Sequence, residues 1–398
     1  MVSGKDIICI SPLRYEEHLT GKQQIMNLLS KNNRIFFCQR ETGLEHIIKH
    51  PQYFLDVIKY FTNSIYTKNN ITFVESPLLL PGRYYSETIN KYNQLIIARR
   101  LLRLYNKYNI KDPILWTFVP HSAELIIRLP HSLAIYHCSE YYDVLSEGRK
   151  KVVLTKLESE LCEKVDIIFA VTNGIYEKVK NIAPDKSYLC YNGVDTALFN
   201  KTLNINEREI PQDIASIKKP RLGHIGMFNG KVDIDLIIKI AKENPTWNLI
   251  FVGKIFYSDI DKIKFMKLVR LNNVHFLGNR NPKVLPYYIK PMDCCLILGK
   301  RNKWTEITRP LKFYEYLASG KPIVSIGFPE LNEFSDWIFI SENYEGYIDN
   351  IRKILSGMVK KTSEEQAKFA ERFSWERVVD RISVIIEEKL SVRMLKET

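Results

Sequence analysis

Short runs of apolar residues punctuate this chain, and between them lie longer stretches whose apolar positions recur at helical spacing. The first half opens on an apolar run at residues 6–10, passes through a polar turn, SPLRYEEHLTGK, and reaches a helix-like stretch at 23–29 before a second run, RIFFC, at 34–38. Further strand-like runs stand at 71–76 (ITFVES), 113–119 (PILWTFV), 133–138 (LAIYHC), 166–172 (DIIFAVT) and 187–193 (SYLCYNG), with helical periodicity at 87–108 and 150–163. Strands alternating with amphipathic helices predict a parallel, doubly wound sheet.

The stretch 199–219, FNKTLNINEREIPQDIASIKK, is poor in large apolar residues and is the expected linker. A second alternating series follows it: PRLGHIGMF, a helix at 233–243, NLIFVG, a helix at 259–271, NVHFLG, CCLILG, the helix KFYEYLASG, then KPIVSIG, WIFIS and two closing helices. The expected fold class is therefore α/β, with two Rossmann-like halves facing across a cleft. No internal repeat or low-complexity tract is visible.

At 398 residues, 45% apolar and 26% charged, the chain fits two globular domains and neither a disordered nor a fibrous protein. Lys5 precedes and Asp6 opens the first apolar run, and no stretch reaches the roughly 18 uncharged apolar residues a bilayer span requires. A cytoplasmic protein is expected. Seven cysteines without a CxxC pair read as buried thiols, with no disulfide framework or zinc site. The formal charge of +13 is compatible with nucleic acid, an anionic membrane face or phosphorylated substrates, or simply with solvated lysines.

In parallel sheets, glycine turns and helix N-termini beyond the strand ends present N–H groups to phosphates. The turn Gly223 to Asp233, with Gly226, Gly230 and Lys231, has that character, and Asp233 is placed to cap the next helix; turn geometry alone also explains the glycines. More informative is the stretch from Thr305 to Pro322. Thr308, Arg309 and Pro310 precede a helix whose first turn holds Lys312, which suits a diphosphate. Glu315, three residues on, shares that helical face, where a carboxylate can accept ribose hydroxyls. A solvent-facing Lys/Glu pair is the plain alternative.

The run PLKFYEYLASGKPIV resembles the donor-site signature of GT-B glycosyltransferases, in particular family-four-like bacterial enzymes with the motif P-x-K-x-x-E-Y-x-A-x-G-K-P. YNGVDTALF, NLIFVG (ending at Gly253), NVHFLGNR, LPYYIKPMD and the closing FSWERVV fall in the same order as in that family. The resemblance implies the GT-B fold, with an acceptor domain at 1–200, a donor domain at 201–375 and a helix at 376–398 crossing back to the first. It implies that Gly226, Lys231, Lys312 and the helix start at Pro310-Leu311-Lys312 hold a donor diphosphate, that Glu315 binds ribose, and that Asn279 and Arg280 frame the base. A nucleotide-diphosphate sugar, most commonly a UDP-sugar, is then a substrate, and no metal or other cofactor is required. One departure stands out: Ile307 occupies the position where many such enzymes carry a second glutamate near the transferred sugar, and Glu306 is one residue early.

The loop SPLRYEEHLTGK resembles that of teichuronic-acid-type and related surface-polysaccharide transferases. The resemblance gives Arg14 and Gly21 acceptor-binding roles; turn and surface roles are the alternatives. In IYHCSEYYD the family often has two acidic residues, and here His137 and Glu140 are the candidate catalytic groups, with Asp143 a third and a buried histidine the alternative for His137. The implied reaction moves a sugar, with retention, to a saccharide or lipid-linked saccharide acceptor. Lys59, Lys91, Arg99, Arg100, Arg103 and Lys107 are candidates for peripheral contact with the anionic inner face of the plasma membrane. No nucleic-acid recognition motif is present. A nucleotide-sugar epimerase, a phosphorylase of similar fold and a catalytically degenerate sugar-nucleotide-binding protein are the rival readings.

Overall fold

The computed structural model describes residues 1–15, 20–43, 47, 54–62, 64–142, 144 and 146–397. They form two units, the first made of residues 1–192 with those from 375 onward, the second of residues 193–374.

The first unit holds β1 (Asp6–Ile10), β2 (Arg34–Cys38), β3 (Thr42–Gly43), β4 (Ile65–Lys68), β5 (Ile71–Val74), β6 (Leu78–Leu79), β7 (Ile114–Thr117), β8 (Leu133–Cys138), β9 (Ile167–Ala170) and β10 (Ser187–Leu189). Eight of these make one sheet in the order β10-β9-β8-β7-β1-β2-β5-β4, parallel except for β4, which runs antiparallel to β5 at the edge. β7, β8 and β9 are buried at every position, as strands covered by helices on both faces must be. β3 and β6 pair separately, two residues each. These two and β4 escape the apolar pattern because they are too short or too exposed to print one.

The second unit has six parallel strands, β11 (Arg221–Ile225), β12 (Asn248–Val252), β13 (Val274–Gly278), β14 (Cys294–Ile297), β15 (Ile323–Ile326) and β16 (Phe339–Ser341), ordered β13-β12-β11-β14-β15-β16. In both sheets the chain winds outward first to one side and then to the other, so the winding reverses between β1 and β7 and again between β11 and β14. Loops diverge at such a reversal and leave a crevice beyond the carboxyl ends of the two strands.

Two features depart from the sequence expectation. The stretch 199–219 is no linker: it forms short helical segments, and Phe199, Ile214 and Ile217 are buried in the core of the second unit. A few well-placed apolar anchors hold a polar segment that composition alone assigns to solvent. The division between the units falls at 192/193, before Val194 and Asp195, whose carboxylate caps the helix Thr196–Phe199.

The helix Trp375–Glu397 belongs to the first unit. Trp375, Val378, Val379, Ile382 and Ile386 recur at helical spacing and pack in one core with Ile25 and Met26 of the helix Gly21–Leu29. All seven cysteines are buried and free. Among the described residues, no helix is long and apolar enough to cross a membrane.

Candidate functional site

In the second unit the crevice between β11 and β14 receives the start of the helix Leu311–Ala318. The amide of Ile225, last residue of β11, donates to the Tyr316 hydroxyl at 2.7 Å, which ties that helix to the strand end. Gly226 follows with φ 122°, and a Cβ there would lie 3.5 Å from the Lys312 Nζ. Gly253, at the end of β12, comes so close to the Gly226 carbonyl that a Cβ would fall 1.9 Å from its oxygen. Only glycine permits this approach of two strand-end turns beneath the lysine.

Pro310 is the N-cap of the helix and no side chain caps it. Proline has no N–H, so the donors at this helix start are Leu311 and Lys312, and the sequence expectation is corrected for Pro310. Lys312 and Glu315 are half-buried on the same helical face. Burial pushes the Lys312 ammonium down to about 8, with Glu315 pulling the other way, and the same burial pushes the Glu315 carboxyl up to about 7, opposed by Lys312. A helix start with two uncapped N–H groups and a lysine in its first turn, followed one turn later by a carboxylate, has the chemistry to take an anion and to accept hydroxyls.

Lys231 lies in the loop after Gly226, its Nζ 3.9 Å from the centre of the Trp304 ring. Asp233 caps the helix Ile234–Glu243 by accepting from the Leu236 amide at 3.1 Å, as the sequence suggested. Thr308 is turned inward, its hydroxyl donating to the Trp304 carbonyl at 2.6 Å.

Arg309, expected at the donor, is instead buried. Its Nη2 meets Glu330 at 3.3 Å and also Glu333, and its Nη1 donates to the Tyr314 hydroxyl at 3.2 Å. A guanidinium so deep in the unit balances the buried Glu330 carboxylate, reaches out to the exposed Glu333 and fixes the loop before the helix. Arg280 is likewise engaged, donating to Asp213 at 2.7 Å and to the Tyr288 hydroxyl at 2.6 Å, while Asn279 beside it is exposed.

Sequence reasoning missed His224, in β11, which joins Lys312 to the strand through 2.8 and 3.0 Å hydrogen bonds. Its legible signal is a polar residue among the apolar positions of a buried strand. Two open hollows of 1020 and 630 Å³ lie elsewhere, lined in part by Lys218, Asn248, Pro220, Asp293 and Pro322 at the amino ends of the strands. Neither is lined by Gly226, Lys231, Lys312 or Glu315.

In the first unit Arg14 lies in the loop after β1, Gly21 opens the following helix, His137 lies in β8 and Glu140 in the loop after it. Glu140 presents a half-exposed carboxylate 3.9 Å from the Nζ of Lys22, itself buried in the first turn of the helix Gly21–Leu29. Burial drives the Lys22 ammonium below its usual range, against the pull of Glu140. Lys22 was not anticipated, although a lysine at the first helix of an open sheet is a readable signal.

His137 does not stand beside Glu140 as a second working group. It is 2% exposed and packed among Trp116, Phe118 and Phe169, and burial, aided by the Lys22 charge, pushes it down to about 3. The open alternative of a buried histidine is the one observed. Arg14 is corrected similarly: both its Nη atoms bond the Glu75 carboxylate, at 2.8 and 2.6 Å, in a buried fork. Gly21 has a packing reason, since a Cβ there would sit 2.7 Å from the Trp375 ring and 3.0 Å from Asn192 Oδ1. Asp143 lies outside the described residues.

No family model matches the chain. A relative from Bacillus subtilis (strain 168), provisionally named the teichuronic acid biosynthesis glycosyltransferase TuaH, is 28% identical over 243 residues, covering 58% of this chain and 59% of the relative. The match thus spans less than two thirds of either protein. Among solved structures, an α,α-trehalose 6-phosphate synthase from Burkholderia multivorans superposes with a TM-score of 0.71 at 10% identity, covering 100% of this chain and 99% of its own. Anabaena HepE in complex with UDP and glucose gives a TM-score of 0.67 at 13% identity, covering 96% of this chain and 99% of its own. At these identities the likeness establishes the fold, the GT-B arrangement of two Rossmann-like units.

Proposed function

We propose that this chain is a glycosyltransferase that takes a hexose from a UDP-sugar and hands it to a saccharide or lipid-linked saccharide in bacterial cell-surface polysaccharide synthesis. The observation that carries this reading is Lys312 at an uncapped helix start, facing the Gly226 turn at the winding reversal, with Glu315 one turn behind. Support comes from the UDP held by HepE, which shares the fold, and from the teichuronic acid assignment of the partial relative.

In this reading the bond from the anomeric carbon to the diphosphate oxygen breaks, and the diphosphate departs with the electron pair. Lys312, Lys231 and the amides of Leu311 and Lys312 stabilise its charge, the task a metal performs in other enzymes. Glu315 accepts the ribose hydroxyls. The acceptor oxygen bonds the anomeric carbon and releases its proton to the departing phosphate, and within the first unit the half-exposed Glu140 carboxylate is the catalytic candidate in place of the sealed His137. Retention of configuration, independence of metal and a cytoplasmic protein held at the inner membrane face complete the proposal.

The test is transfer from radiolabelled UDP-sugars to lipid-extracted acceptor in EDTA, with the early product read by NMR. Transfer in EDTA with a retained anomer supports the reading; a requirement for divalent metal or an inverted anomer overturns that part of it. A second reading, donor binding without turnover, is favoured by Ile307 at the position expected for a carboxylate. UDP affinity with no transfer to any acceptor would establish it, and consumption of donor alone would indicate an epimerase.

A further inference from the structure

We infer that His224 is a positioning residue of the donor site, acting as a neutral acceptor that holds the Lys312 ammonium where a diphosphate must meet it. The inference deepens the donor-site reading and rests on it.

His224 is 2% exposed, two residues before Gly226. Its Nδ1 stands 3.0 Å from the carbonyl oxygen of Leu296 in β14, and its Nε2 stands 2.8 Å from the Lys312 Nζ. A carbonyl can only accept, so Nδ1 carries the proton. Nε2 is then left with a lone pair, and the ammonium donates to it. The imidazole is thereby an adaptor between an acceptor on the neighbouring strand and a cation on the following helix. A doubly protonated ring would set two cations in contact, and burial together with the Lys312 charge holds the ring in its neutral form.

The consequence for binding is geometric. A lysine is a compact charge on a flexible four-carbon stem, and fixing it carries an entropic cost that a preorganised site has already met. With one of its three donors committed to His224, the ammonium keeps two for phosphate oxygens. The Gly226 turn puts no side chain against its tip, where a Cβ would stand in contact at 3.5 Å.

The test separates this role from plain packing. In H224N the amide nitrogen can take the place of Nδ1 against Leu296, but nothing reaches Lys312. In H224Q the longer side chain can bring an amide oxygen to the place of Nε2. Calorimetry at pH 7 with UDP and with uridine, which lacks the diphosphate, is run on wild type, H224N, H224Q, K312M and the H224N/K312M double variant.

The expected result is that H224N weakens UDP about tenfold and uridine less than twofold, and H224Q stays within about threefold of wild type. The double variant should bind no worse than K312M, because both changes remove one interaction. Equal loss for UDP and uridine, or additive losses, would overturn the inference. Should wild type bind no UDP, the donor-site reading fails by itself. ¹⁵N NMR of the protein without nucleotide then decides the His224 arrangement: an Nδ1–H tautomer whose Nε2 signal shifts in K312M supports it, and an Nε2–H tautomer or imidazolium at pH 7 refutes it.

Discussion

The ammonium of Lys231 stands 3.9 Å from the centre of the Trp304 ring; Lys231 lies in the loop after β11 and Trp304 in the short helix Lys303–Glu306 after β14 of the same sheet. Such a pair contributes about 0.5–2 kcal/mol according to its exposure, less than a diphosphate offers the same cation. UDP should therefore draw Lys231 off the indole and change the tryptophan emission. W304F should remove most of that change, and K231M should weaken UDP about tenfold. An emission change that persists intact in W304F would detach Lys231 from the phosphate site.

Donor binding should depend on pH from both sides. Lys312 binds phosphate when protonated, so affinity falls as pH rises through about 8, where burial has placed its titration. Glu315 accepts hydroxyls when ionised, so affinity falls as pH drops below about 7. The third group in contact, His224, is neutral on both limbs. Calorimetry in buffers of different ionisation enthalpy should show proton uptake on UDP binding near pH 8 and release near pH 6.5. Buffer-independent heats at both values would contradict the assignment.

Arg309 should matter for stability and hardly at all for the ligand. R309M leaves the Glu330 carboxylate, 4% exposed, without its buried cation, a change expected to cost about 3–5 kcal/mol. Urea unfolding checks the loss, and UDP affinity below the transition should stay within threefold of wild type. A thirtyfold loss of UDP affinity with unchanged stability would return Arg309 to the donor.

Glu140 and His137 should part company in the transfer reaction. E140Q removes a half-exposed carboxylate and is expected to slow transfer at least tenfold, with UDP affinity unchanged. H137Q acts on a ring closed in by aromatic neighbours and should lower the melting temperature while leaving turnover per folded molecule within threefold. The reverse pattern would move the catalytic role back to His137.

Association with anionic lipid is expected through the helix Glu87–Tyr108, where Arg99, Arg103 and Lys107 form an exposed stripe at successive turns. Its neighbours are otherwise committed, Lys91 to Glu124 at 3.1 Å and Arg100 to the Ser64 carbonyl and the Tyr60 ring. In the preceding helix, Phe54–Thr62, Phe54, Leu55, Ile58 and Phe61 are exposed apolar residues that could enter the interface. Co-sedimentation with liposomes should rise with the anionic fraction and fall in R99E/R103E. No dependence on anionic lipid would remove the membrane from the proposal.

The legible part of the candidate site was local in sequence. Lys312 and Glu315 lie three residues apart, and the helical repeat alone puts them on one face, while Asp233 precedes the helix it caps. Arg14 and Arg309 looked like ligand-binding residues because an arginine's partner cannot be read from its own neighbourhood. Glu75 lies 61 residues from Arg14, and Glu330 lies 21 from Arg309. His224 and Lys312, 88 residues apart, meet only because β11 lies beside β14 and the helix after β14 returns over it.

The alternation of strands and helices, the parallel sheets and the helix that begins at Leu311 are written in consecutive residues, as burial on two faces and the period of the helix. Which charges face inward, which histidine is sealed among aromatics and which one meets a lysine are settled by packing between distant segments. Those outcomes depend on strand order and on desolvation, and both exist only once distant segments have packed.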